Sequence, residues 1–295
     1  MTGFWGSVTS SIDWCELNYS HSPYIAEFYN TLSSGIISLY ALLGIYQLSW
    51  KFGSNDYHRQ VIRKENWLWI LNFAYASLFV VGIGSMAFHA TLTYVNQLLD
   101  EIPMIYTSLI NLFILIKVGE DSKGRGGVLH HYRGIRKLIP YLLVAYGIFV
   151  SVSIIFIQDQ PKILQVSYGA LVIYMVIHSI YLIYSKYQNP KSTETFSWQQ
   201  PDVYTFVFAF CCFLTGYLCW VLERFNCENG QSFFGLQLHS IWHIITGLGV
   251  YTWSQFLIGK LLEGRGYKYE KYNFIIIPSL YAQPSNSINL KSRSE

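Results

Sequence analysis

The chain has 295 residues, of which 52% are hydrophobic, 18% aromatic and only 13% charged, with a formal net charge of +3. A soluble domain carries roughly 25% charged residues, so the composition excludes an ordinary soluble enzyme, and so small a net charge gives no reason to invoke a nucleic-acid partner. The sequence reads as an all-α membrane protein.

Residues 1–30 form a polar segment containing Asp13, Glu16 and Glu27. It lacks the basic stretch and apolar core of a signal peptide, so the first span is expected to direct insertion. Apolar stretches then recur around residues 32–50, 68–88, 97–118, 138–157, 163–184, 203–222 and 235–258. Each is long enough to cross a hydrocarbon core about 30 Å thick, and a seven-transmembrane helix bundle is expected over residues 31–260. Polar residues interrupt the starts of the third and seventh spans.

Charge sets the orientation. With seven spans, 18 of the 20 Lys and Arg fall on one side of the membrane, leaving Lys162 and Arg224 opposite. The positive-inside rule then places the N-terminus outside or in the lumen and the C-terminus in the cytosol. Residues 261–295 are expected to form a cytosolic tail, polar and disordered at its end. Within it "FIIIP", residues 274–278, is too short to span and either touches the membrane interface or packs on the bundle.

Under this topology the luminal ends of the second, third and seventh spans lie at one depth. His89 closes the second, Asp100 sits about one turn into the third, and His239 and His243 open the seventh. The last two, in "HSIWH", are four residues apart and project from one helical face; Ser85 and His89 share that spacing. An i, i+4 histidine pair plus a third imidazole leaves a fourth tetrahedral position free, the layout of a catalytic zinc site. Any one of these histidines alone is an ordinary helix contact; the convergence makes the metal centre the better reading. Asp100 and Glu101 are adjacent, about 100° apart on a helix, and Asp100 is taken as the inward residue. His21, His58, His130, His131 and His178 are read as structural or solvated.

The N-terminal run "DWCELNYS" followed by Glu27 gathers Asp13, Glu16, Asn18 and Glu27, hard oxygen donors suited to calcium. Its spacing is not that of an EF-hand, and a solvated acidic loop with a helix cap stays open. Asn18-Tyr19-Ser20 also fits a glycosylation sequon; Asn18 is expected to be unmodified. Of five cysteines, Cys211, Cys212 and Cys219 fall within the sixth span. Cys15 and Cys227 are the two expected outside the membrane, where a disulfide would tie the N-terminal segment to the start of the seventh span.

"SSIDWCELNYS", "YIAEFYN", "GSMAFH", "LLDEIPMIY" and "HSIWHIITG" together resemble the alkaline ceramidases, in the family's order and over most of the chain. The resemblance implies a zinc amidase of the endoplasmic reticulum or Golgi membrane that takes ceramide from the bilayer and cleaves it to a sphingoid base and a fatty acid. It implies zinc on His89, His239 and His243, with Asp100 as general acid–base and Ser85 beside the metal as a donor to the developing oxyanion. It further implies calcium on Asp13, Trp14 through its carbonyl, Glu16, Asn18 and Glu27, and the bridge between Cys15 and Cys227. Met86, Ile241, Leu17 and Thr93 depart from the family's pattern. Met86 and Ile241 flank expected ligands and put pocket shape, and so chain-length preference, in question. The rival readings are a seven-helix receptor or scaffold like the adiponectin receptors, in which zinc is mainly structural, and a transporter. A transporter would need a polar path across the bilayer, whereas these polar residues gather at one end.

Overall fold

A computed structural model describes residues 3–49, 56–121, 133–157, 160–188, 195–227, 235–274 and 277–284; His130 and His131 lie outside them. The described residues form eight helices: α1 (Phe28–Ser49), α2 (Asp56–Lys64), α3 (Leu68–Thr91), α4 (Tyr94–Asp121), α5 (Arg133–Phe156), α6 (Gln160–Tyr187), α7 (Pro201–Asn226) and α8 (Leu238–Gly264). An antiparallel hairpin follows, β1 (Lys268–Phe274) paired with β2 (Ile277–Gln283) in the register Lys268 to Gln283.

Six helices, α1 and α3 to α7, are long and apolar enough to cross a membrane. This is a multi-pass membrane protein. The seventh expected span, α8, has 27 residues but is not among the six. Its composition follows from its place: α8 packs against α7, α1 and α4, and faces protein rather than lipid. Thr252, Ser254, Gln255 and Lys260 are all buried along it, as they could not be on a helix facing hydrocarbon. The outer helices show the reverse. On α5 and α6, Tyr141, Phe149, Val166 and Ile177 expose apolar surface, the mark of a lipid-facing wall.

The end of the bundle away from the histidines is fastened by polar side chains. Asp202, fully buried at the start of α7, accepts from Lys260 of α8 at 2.7 Å and from Lys186 of α6 at 3.2 Å, and Lys260 also reaches Glu263 at 2.9 Å. A second network joins α1, α3, α8 and the hairpin. The Tyr251 hydroxyl donates to Gln47 at 2.8 Å, Gln255 donates to Tyr75 at 2.9 Å, and the Leu280 backbone N–H donates to Gln255 at 3.0 Å.

The hairpin corrects the all-α expectation and the boundary drawn at residue 261, which falls inside α8. "KYEKYNF" alternates polar and aromatic residues with the period of a strand, and β2 is buried over Pro278–Ala282. The "FIIIP" segment therefore contributes to packing on the bundle, with Ile277 and Pro278 in β2. His58, on the short helix α2, is also buried and accepts the Ala282 N–H at 3.1 Å; its role is structural, as expected.

Removing the charge at the centre of a buried ion cluster leaves its partners uncompensated. Asp202→Asn is therefore expected to destabilise the protein by about 3 kcal/mol, measured as a lower thermal midpoint in detergent, without changing the residues around the histidines.

Candidate active site

α3 ends at Thr91, and Leu92 takes a left-handed conformation (φ 50°) from which its N–H caps the Phe88 carbonyl. His89 thus lies in the last turn of α3, where the helix leaves carbonyls unpaired. The N-terminal segment satisfies them: Ala26 N–H donates to Ala90 and Glu27 N–H to His89, each at 2.9 Å. α4 starts at Tyr94 and contains Pro103, which lacks the N–H that would pair with Leu99. That carbonyl points at Gly84, where any Cβ would collide with it. Glycine there lets α3 and α4 close up at the turn that brings Ser85 and Asp100 to the same cavity.

His239 and His243 occupy the first two turns of α8 and meet His89 across the bundle. One nitrogen of each ring lies within 4.8 Å of the others, and all three side chains are buried. Nε2 of His89, Nε2 of His243 and Nδ1 of His239 are buried without a hydrogen-bond partner. Three neutral imidazole nitrogens with no protein partner form a donor set that fits zinc.

The far nitrogens of two rings are held. His89 Nδ1 donates to Glu27 at 2.5 Å, and His243 Nδ1 donates to Ser33 at 2.9 Å. Ser33 donates onward to the Asn30 carbonyl at 3.0 Å, and Ser34 pairs with Ser85 at 2.9 Å. A partner on the outer nitrogen fixes the tautomer and aims the inner one. Glu27, Asn30, Ser33 and Ser34 come from one face of α1 and its approach, which the sequence reading left out of the zinc site. Their signal was a polar stripe in an apolar helix, with Asn30, Ser33, Ser34 and Ser38 at helical spacing.

The residues expected to bind calcium gather over this site. Glu16 accepts the Tyr29 and Asn30 N–H groups at 2.7 and 3.0 Å, so it caps the start of α1. Glu27 accepts the Trp14 N–H at 3.0 Å. Asn18 donates to both oxygens of Asp13 at 3.1 Å, while its own Oδ1 is buried without a partner. Burial raises the carboxyls of Asp13 and Glu16 above the usual range and pushes Glu27 up to about 8. The Trp14 indole stacks on His239, with ring centroids 3.7 Å apart. A disulfide joins Cys15 to Cys227, 212 residues away, while Cys211, Cys212 and Cys219 are free thiols in α7.

A mostly apolar cavity opens from the site. Ser85, Asp100 and His243 line one end, Asn111 and Trp253 the other. From Asp100 to Asn111 it follows α4 for about 16 Å at 1.5 Å per residue. α6 and α7 supply its outer wall and touch each other sparsely. Trp242 rather than Ile241, and Ser85 rather than Met86, line the cavity, so the two departures from the family pattern act at most through their neighbours. Asp100 lines this space. Glu101 accepts from Gln97, one turn earlier on α4, at 2.8 Å, and Gln97 in turn meets Ser11 of the N-terminal segment.

The ceramidase family model matches residues 6–282. The chain belongs to the ceramidase family. It is 50% identical to dcd3A of Dictyostelium discoideum, over 95% of this chain and 96% of that protein. It is 33% identical to alkaline ceramidase 3 of Mus musculus, over 96% of both. Alkaline ceramidase YPC1 of Saccharomyces cerevisiae is 29% identical over 84% of this chain and 76% of its own length. This family member is a hydrolase, and the residues just described are its candidate machinery.

A methyl group at Gly84 would push α3 and α4 apart beside Ser85 and Asp100. Gly84→Ala is expected to lower hydrolytic turnover by roughly tenfold or more and stability by about 1–3 kcal/mol. Gly169→Ala, inside α6 where the added Cβ meets nothing within 4 Å, should leave turnover unchanged and should not lower the melting temperature in the same assays.

Proposed function

We propose that this ceramidase is a zinc-dependent intramembrane amidase that hydrolyses ceramide to a sphingoid base and a free fatty acid. The observation that carries the reading is the convergence of three unpartnered imidazole nitrogens beside Asp100 and Ser85, at the head of an apolar cavity. His89, His239 and His243 would hold the zinc, which supplies Lewis-acid activation of water and of the amide carbonyl. Asp100 takes the proton from the attacking water and delivers it to the leaving amine. Ser85, held by Ser34 and beside Asp100, donates to the developing oxyanion. The cavity receives a hydrocarbon chain and excludes bulk water, and the sparse contact between α6 and α7 favours entry from the bilayer. A carboxyl and a hydroxyl facing a mostly apolar cavity beside the three imidazoles favour hydrolysis over a receptor with a purely structural metal.

The same reading makes α8 the seventh span, with the N-terminal segment and the histidines on the luminal side of an endoplasmic reticulum or Golgi membrane. The buried, unpaired Asn18 oxygen and the raised carboxyls of Asp13, Glu16 and Glu27 are relieved by a cation, and a set of hard oxygens suits calcium. Calcium on this cap orders the segment that stacks Trp14 on His239 and takes no part in the chemistry.

Mass-spectrometric detection of free sphingoid base tests the reaction with purified protein and a panel of ceramide, dihydroceramide and phytoceramide. The wild type should release base, His243→Ala none, and Asp100→Asn should retain zinc while losing roughly 10²-fold or more in kcat. No release from any member of the panel by folded, zinc-loaded protein would sink the amidase reading. Calcium added back to chelator-treated protein should raise its melting temperature, by the linkage between binding and folding. That rise should vanish in Glu16→Gln; an equal rise in the variant removes Glu16 from the calcium site.

A further inference from the structure

We infer that Glu223, on α7, is a positioning residue for His239, and that it holds the start of α8 in place of a local helix cap. The inference rests on the reading of His239 as a metal ligand. An α-helix begins with backbone N–H groups that have no partner inside it, and the usual remedy is a capping side chain just before the first turn. α8 has none: Gln237, its N-cap residue, makes no side-chain cap bond. Instead a carboxylate oxygen of Glu223, 16 residues earlier and on another helix, accepts the His239 N–H at 2.6 Å. Glu223 is 1% exposed. A carboxylate buried this deeply beside a helix start gains from the helix dipole as well as from the hydrogen bond.

His239 is the ligand that needs such a hold. His89 and His243 are aimed by hydrogen bonds from their outer nitrogens to Glu27 and Ser33; among the described residues no side chain does this for His239. Its ring is instead sandwiched between two indoles, Trp14 at 3.7 Å and Trp242 at 5.1 Å between centroids, with interplanar angles of 16° and 13°. Stacking fixes the plane of a ring while leaving it free to slide, and the remaining freedom is that of the backbone, which Glu223 pins. Glu223 also belongs to the turn of α7 that carries the bridge: Cys227 follows one turn later, and Cys15 Sγ lies 3.7 Å from the Glu223 carbonyl oxygen. The bridge thus holds both supports of His239 together, since Trp14 precedes Cys15 in the chain. Nothing in the sequence marks Glu223, an acid near a helix end, as different from a solvated residue.

The test compares wild type with Glu223→Gln, which keeps an acceptor oxygen, and Glu223→Leu, which removes it at similar volume. Each is read by resistance to a zinc chelator, by the visible spectrum of the cobalt-substituted protein, and by kcat and KM on ceramide. Glu223→Gln should match wild type within about threefold. Glu223→Leu should lose roughly 10-fold to 100-fold in metal affinity or kcat, with a shifted cobalt spectrum and an unchanged KM. Where Glu223→Leu does not fold, Glu223→Asp, whose carboxylate is one methylene short, is read in its place and should shift the cobalt spectrum in the same way. A folded Leu or Asp variant with the wild-type spectrum and chelator resistance overturns the assignment of Glu223 alone. A wild type that takes up neither zinc nor cobalt overturns the metal reading and this inference with it.

Discussion

Three buried imidazole nitrogens facing one another without protein partners are costly, since each is a polar atom removed from water with nothing to pair it. The arrangement persists because His89 and His243 are anchored through their outer nitrogens and His239 is stacked between indoles and held through its backbone N–H, and those supports organise the bundle around them. α1 supplies Ser33 to His243 and, through its approach, Glu27 to His89. Asn30 links these two arms, donating to Glu27 at 3.0 Å and accepting from Ser240 of α8 at 2.6 Å. A helix that composition marks as an ordinary membrane span therefore carries a buried polar face along its first three turns.

The N-terminal segment is the second consequence. It completes the carbonyl end of α3, caps the start of α1 through Glu16, and is joined to α4 where Ser11 and Gln97 exchange two hydrogen bonds at 2.7 and 2.8 Å. Its acids are bound into the protein rather than spread in solvent. The contacts that seat the segment are the ones that seat the histidines, through Glu27, Trp14 and the Cys15–Cys227 bridge, and this couples the cap to the centre beneath it.

The histidines, Ser85 and Asp100 were legible in the sequence because helical spacing and a common depth at the span ends are enough to make them converge. The helices were legible for the same reason, hydrophobic length. What the sequence hid depends on rotation and on partners far apart in the chain. Ser33, Ser34 and Glu223 matter through which neighbour they face, and no periodicity states that. α8 was legible as a long helix, yet its polar interior residues make it, among the described residues, the one long helix outside the six apolar spans, because burial against α1, α4 and α7 replaced contact with lipid. The hairpin was missed because "KYEKYNF" reads as a polar tail until the buried Leu280 and Ala282 are seen opposite it.

The polar character of α8 also bears on how the chain is made. A segment carrying two histidines, a glutamine and a lysine is a poor candidate for independent partition into lipid, and its polar groups find their partners only on helices synthesised earlier. The earlier long helices are apolar enough to enter a bilayer on their own, whereas the last has its polar groups matched only when packed against α1, α4 and α7. Two of the three imidazoles arrive with it, so the three-histidine cluster exists only once the last helix has docked.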